Sequence, residues 1–124
     1  MTVSGQPIRR KEDLRFITGK GRYTDDVNLP DQCHAIFARS PVAHANITSI
    51  DTTVAAGMPG VRLVLTGTDY AKSALGTLIC GWMIHSKDGG EMKPGVHPPL
   101  ALGKVRYVGD PVAVVIADSR QMAR

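Results

Sequence analysis

Cysteine is scarce: Cys33 and Cys80 are the only two in 124 residues, and they form no CxxC pair. That pattern excludes a disulfide-stapled scaffold and a zinc ribbon built on paired cysteines, so both are expected as thiols. Aromatics are equally thin, with one Trp, three Tyr and two Phe. They form no interleaved stacking set of the kind that single-strand nucleic-acid binders use. A formal net charge of +4 and a pI near 9.3 raise the question of an acidic partner. However, Glu12, Asp13, Asp25 and Asp26 are mixed among the basic residues of the first quarter, and a nucleic-acid partner is not expected. Long apolar runs are also missing. The densest, Pro111 to Ala117, is one strand long, which excludes a membrane-spanning helix. No apolar segment follows the charged start, so no secretory leader is expected and a cytoplasmic location is.

What the sequence does have is punctuation. Thirteen glycines and eight prolines cut it into pieces too short for a helix-dominated fold, and one domain of short strands and helices is expected. Residues 5 to 30 read as an irregular arm that Gln6-Pro7 opens, with one helical turn at Glu12 to Phe16 and a break at Gly19-Lys20-Gly21. Asn28-Leu29-Pro30-Asp31 signals a turn. His34 to Arg39 alternates as a half-buried strand does, and Ala45 to Asp51 is a second candidate. Thr52 to Met58 predicts a short helix, with Asp51 or Thr52 as N-cap and Pro59-Gly60 as the stop. Val61 to Leu65 is a β-branched strand that Thr66-Gly67-Thr68-Asp69 closes with turn and N-cap residues. Residues 71 to 99 form a long excursion with a small hairpin at Asp88-Gly89-Gly90, of a length that packs on something or serves a site. Lys104 to Val108 and Val112 to Ala117 read as two strands joined tightly at Gly109-Asp110. The second of them is apolar on both faces and so central in its sheet. Asp118-Ser119 opens a helix whose pattern stops at Arg124 after about two turns, as though cut within an element.

The chemistry-bearing residues form weak patterns. His34 with His44, and Cys80 with His85 and His97, fall short of metal-ligand spacing. Gly19-Lys20-Gly21-Arg22 has the glycines and cations of an anion loop, but it lacks the Walker pattern and the third Rossmann glycine. A turn that brings an arm close to another surface explains it more simply. Ser40-Pro41 with His44 has no nucleophile elbow. Glu12-Asp13 and Asp25-Asp26 point to different sides as neighbours and suit turns and caps rather than an acid-base dyad.

Taken in order, four segments resemble one known family. They are RRKEDLRFITGKGRYTDD (Arg9 to Asp26), HAIFARSPVAHANITSIDT (His34 to Thr52), MPGVRLVLTGTD (Met58 to Asp69) and HPPLALGKVRYVGDPVAVVIADS (His97 to Ser119). They are similar to the N-terminal region of the large subunit of molybdenum hydroxylases, the xanthine dehydrogenase and aldehyde oxidase family. CGWMIHSKDGGEMK (Cys80 to Lys93) resembles the aerobic carbon monoxide dehydrogenase type within it. The resemblance implies an α+β fold, the α/β hammerhead, with a small mixed sheet, short helices and an N-terminal arm over residues 1–30 ahead of a domain over 31–124.

It also implies a large subunit that binds molybdopterin cytosine dinucleotide and oxidises or hydroxylates carbon monoxide, an aldehyde or an N-heterocycle. Partner subunits would hold iron-sulfur clusters and FAD. In the family the cofactor-binding motifs and the catalytic glutamate lie C-terminal to the hammerhead. No catalytic, cofactor-binding or metal-binding residue is therefore carried over, and the chain alone is expected to be non-catalytic. The arm cations Arg9, Arg10, Arg15 and Arg22 are the expected interface residues, docking on the rest of the large subunit and its partners. RYVGDP (Arg106 to Pro111) matches the family's tight turn at a sheet edge. The alternative expectation is an autonomous, non-enzymatic interaction module with the same fold.

Overall fold

A computed structural model describes Gly5 and residues 7–124. The expected arm opening at Gln6 lies outside the described residues. The chain divides into two compact units, Met1–Gln32 and Cys33–Arg124. The first holds a short helix α1 (Asp13–Ile17) and a 3-10 turn (Thr24–Asp26). Pro30 and Asp31 turn the chain at its end, with Gln32 N–H donating to the Leu29 carbonyl and Asp31 at φ 58. None of the described residues up to Gln32 is buried.

The second unit is built on β1 (His34–Arg39), β2 (Ala45–Asn46), β3 (Val61–Thr66), β4 (Lys104–Val105) and β5 (Pro111–Ala117), with α2 (Thr53–Ala56) and α3 (Gly67–Lys72) between strands. A three-stranded sheet has the order β1-β5-β3, and a two-stranded sheet joins β2 to β4, every pair antiparallel. The last strand is therefore the central one, as its two-sided apolar pattern predicted. Its register sets Phe37 and Leu65 on either side of Val114, and Ile36 and Val64 on either side of Val115 on the opposite face. The core is thin and made of small side chains. Leu100, Ala101, Val105, Ala113, Val114, Ala117 and Ala123 are buried, and no large side chain is fully so among the described residues.

Local chemistry explains each short element. Asp51 Oδ1 accepts the Thr53 N–H at 2.9 Å and starts α2, which Gly57 and the Pro59-Gly60 turn end. Gly60 has φ +79, a left-handed conformation that favours glycine, and the flexible Met122 side chain lies against the space a Cβ would fill. Thr66 and Asp69 form a capping box: Asp69 Oδ2 accepts the Thr66 N–H at 3.0 Å and the Thr66 hydroxyl at 2.6 Å. The α3 helix that this box opens runs through Lys72, into a segment whose composition reads as loop. In β3 the register shift leaves Arg62 as an extra residue, and its Nε reaches Asp118 Oδ1 at 2.6 Å.

Four expectations are corrected. The strand expected over Ala45 to Asp51 stops at Asn46, because Ile47 and Ile50 lack the two-residue period; the Ile47 N–H still reaches the Gly103 carbonyl, and the pairing ends there. Lys104 to Val108 and Val112 to Ala117 do not make a hairpin; β4 and β5 belong to different sheets. The cause is Asp110, buried at 6% exposure, whose carboxylate takes the Arg106 N–H at 2.9 Å. Its backbone is shared with β1's end: Ser40 N–H donates to the Asp110 carbonyl and Gly109 N–H to the Ser40 carbonyl. The glycines at 89 and 90 close a turn without flanking strands. After Asp118 a single turn forms in place of a helix, with Met122 N–H on Ser119 Oγ and Ala123 N–H on the Ser119 carbonyl. No helix among the described residues is long and apolar enough to cross a membrane.

At Gly67, the first residue of α3, a Cβ would sit 2.1 Å from the Ala101 carbonyl oxygen of the segment that precedes β4. Ala101 cannot retreat easily, since its N–H is held by the Pro111 carbonyl at 2.7 Å. Gly67→Ala is expected to cost about 1 to 3 kcal/mol through overpacking, read as a lower urea midpoint with an unchanged slope. An unchanged midpoint would show that the α3 contact yields without cost.

Candidate functional site

The four expected interface cations lie in the first unit, where local bonds shape the chain around them. Asp13, the first residue of α1, turns its carboxylate back on the preceding chain, where Oδ2 accepts the Arg10 N–H at 3.0 Å. Thr18 Oγ1 donates to the Leu14 carbonyl at 2.6 Å and closes it. Asp26 Oδ2 accepts the Tyr23 N–H at 2.8 Å in a capping box, so Asp13 serves a turn and Asp26 a cap, the two uses that their pairing in sequence predicts. The Arg15 guanidinium lies 5.0 Å from the centroid of the Phe16 ring. Phe16 in turn stacks on Tyr23 with centroids 5.5 Å apart. Gly21 makes this possible, because a Cβ there would stand 2.9 Å from Phe16 Cδ1. Arg15 is thus joined to the ring pair that precedes Thr24, while Arg9, Arg10 and Arg22 are exposed along the same unit.

Sequence reasoning missed the apolar part of this surface. Leu14 is 68% and Ile17 81% exposed, spaced three apart on one short helix. That spacing was the available signal, hidden among the more conspicuous charges.

The remaining candidates resolve into structural roles. The amides of the Gly19-Lys20-Gly21 loop that would cradle an anion instead close α1: Gly19 N–H goes to the Phe16 carbonyl and Lys20 N–H to the Arg15 carbonyl. Ser40 is buried, and its hydroxyl donates to the Val42 carbonyl at 2.8 Å, which locks a turn. His34 is half-buried in β1 and His44 exposed in a bend. Cys33 and Cys80 are exposed and form no disulfide, and the Cys80 thiol donates to the Trp82 carbonyl at 3.4 Å. Among the described residues no three His, Cys, Asp or Glu side chains group to hold a metal ion.

Two of the clefts among the described residues of the second unit lie beside α3. One, of about 360 Å³, is lined by Ile47, Thr48, Thr52, Thr66 and Asp69, but the last two spend their polar atoms on the capping box. The other, of about 320 Å³, is apolar and lies among Tyr70, Ala74, Leu75, Val96, Pro98 and Leu102. The buried polar side chains of Ser40, Thr66 and Asp110 are all engaged, and no buried side-chain polar atom among the described residues lacks a partner.

The electrostatics agree with a structural role. Hydrogen bonds from the Thr66 hydroxyl and N–H hold the Asp69 carboxyl below its ordinary value. The Thr53 N–H does the same for Asp51, and Asp118 raises the Arg62 guanidinium.

Comparison with known proteins converges on one assignment. The family model described as "Aldehyde oxidase and xanthine dehydrogenase, a/b hammerhead domain" matches residues 18–124. The chain is 45% identical over 121 residues to the nicotine 6-hydroxylase large subunit of Paenarthrobacter nicotinovorans, which covers 98% of this chain and 14% of that protein. Quinoline 2-oxidoreductase from Pseudomonas putida 86 superposes with a TM-score of 0.80 at 42% identity, over 94% of this chain and 14% of that one. The Cu,Mo-CO dehydrogenase in its carbon monoxide reduced state gives a TM-score of 0.73 at 40% identity, over 94% and 13%. The chain belongs to the aldehyde oxidase and xanthine dehydrogenase hammerhead-domain family. It spans 14% of the length of the nicotine 6-hydroxylase large subunit that it matches.

The capping box yields a pH prediction. With Asp69 lowered in the folded state, its contribution to stability is complete above the unfolded carboxylate value of about 3.9 and is lost as pH falls through the lower folded value. In a carboxyl NMR titration, Asp69 is expected to titrate below that ordinary value, and Thr66→Val to move its midpoint upward. An unmoved midpoint would show that the Thr66 hydroxyl does not hold the carboxylate.

Proposed function

We propose that this chain is the N-terminal structural portion of the large subunit of a molybdenum-dependent oxidoreductase. The arm over residues 1–30 and the hammerhead over 31–124 act in packing rather than chemistry. The observation that carries the reading is the match of nearly the whole chain to 14% of a large subunit, at 45% identity. The intact subunit would bind molybdopterin cytosine dinucleotide outside this segment and oxidise or hydroxylate a small substrate. Of carbon monoxide, an aldehyde and an N-heterocycle, the nicotine and quinoline enzymes support the N-heterocycle. Iron-sulfur and FAD subunits would be its partners, in the cytoplasm. An autonomous interaction module is less well supported, since the reported relatives carry this segment within a far longer chain.

Within this reading Arg9, Arg10, Arg15 and Arg22 are docking cations, steering and registering the arm on acidic groups of the other polypeptide segments. The test is to splice this sequence in place of the aligned segment of the nicotine 6-hydroxylase large subunit and to follow assembly. The spliced subunit should assemble, and one lacking the segment should not. Charge reversal of Arg9, Arg10 and Arg15 to Glu should weaken assembly at least tenfold while shifting the melting temperature of the isolated chain little. Equal losses in both would remove the docking role, and failure of the spliced subunit alongside an assembled deletion would remove the structural one.

A further inference from the structure

The excursion after α3 is organised at both ends. At its neck the Leu78 N–H donates to the His97 carbonyl at 2.9 Å, closing residues 79–96 into a loop. At its far end Ser86 N–H donates to the Gly90 carbonyl and Gly89 N–H to the Ser86 carbonyl, both at 2.9 Å. The Asp88 carboxylate accepts from the Ser86 hydroxyl and the Gly90 N–H, and the first of these bonds, then the second, lowers its pKa. Between neck and turn the loop presents Ile79 at 92%, Trp82 at 79% and Ile84 at 65% exposure. A tryptophan, the only one in the chain, is held outward between two exposed isoleucines on a loop with a fixed base.

We propose that this loop is a docking element whose occupant is the remainder of the large-subunit polypeptide, with Trp82 as its anchor. The inference rests on the reading of the chain as one part of such a subunit. Two observations select the occupant. The chain spans 14% of the length of its nicotine 6-hydroxylase relative, so there the equivalent loop is covalently joined to a much longer polypeptide present at high effective concentration. The loop's own charges balance, Lys87 and Lys93 against Asp88 and Glu91, so it calls for an apolar surface, unlike the cationic arm. Trp side chains buried in a partner's pocket dominate binding energy in interfaces of that kind.

The test uses Trp82 as its own reporter. The chain is labelled with 5-fluorotryptophan, which places its single fluorine label at residue 82. It is then mixed with the Paenarthrobacter nicotinovorans large subunit expressed without the segment that aligns with this chain. A complex seen by light scattering, together with loss of the solvent-isotope shift of the fluorine resonance, supports the proposal. So does at least tenfold weaker association of Trp82→Ser with unchanged melting of the free chain. A complex in which Trp82 stays solvent-accessible, or in which Trp82→Ser binds equally well, overturns the docking role and leaves the large-subunit reading intact. Absence of any complex, together with an accessible Trp82 in the single-chain fusion of the two parts, overturns both. Protection that rises with the concentration of the chain alone assigns the loop to a second copy and overturns the stated occupant. The same resonance in a single-chain fusion of the two parts, assigned by its loss in Trp82→Phe, gives the answer independently of affinity; an accessible Trp82 there also overturns the proposal.

Discussion

The β5 strand is hydrogen-bonded along both edges, to β1 on one side and to β3 on the other, although both neighbours precede it by more than forty residues in sequence. Until this last strand is in place, β1 and β3 are two separate edges with no ladder between them. Closing such long-range pairs demands loop-closure entropy before any contact forms. The side chains of β5 offset that cost: Val114 is buried between Phe37 and Leu65, and Ala113 and Ala117 are buried with it. The neighbouring locks act on the ends of this strand. Asp110 fixes its entrance to the end of β1, and Asp118 fixes its exit to Gly60 and Arg62.

How much of this was legible follows from which interactions are local. β1 was readable from its alternation, and β3 and β5 because β-branched runs ended by turn residues specify a strand wherever it goes. The capped start of α2 and the central position of β5 followed from Asp51 and from an apolar pattern on both faces. Membership of two different sheets by β4 and β5 was not readable, because it depends on a buried Asp110 side chain and on its backbone contact with Ser40, which is distant in sequence. The extent of α3 was hidden for a related reason: glycine is a poor helix residue, and at position 67 it is there for its close approach to Ala101.

For the proposed docking surfaces, charge was visible and exposure was not. Arg9, Arg10, Arg15 and Arg22 stand out in a list of residues. By contrast, Leu14, Ile17, Ile79 and Trp82 look like ordinary core candidates until the fold leaves them outside. A thin core of alanines and valines together with large apolar side chains at the surface suits a domain that completes its burial against another polypeptide.

We propose that this sequence is one part of a much longer, molybdenum-dependent polypeptide and serves it structurally. Intact mass and metal analysis of the native protein, captured from its source with an antibody to this chain, test that directly. The account predicts a polypeptide several times heavier than 13.3 kDa that carries molybdenum. A native species of 13.3 kDa without metal would contradict it.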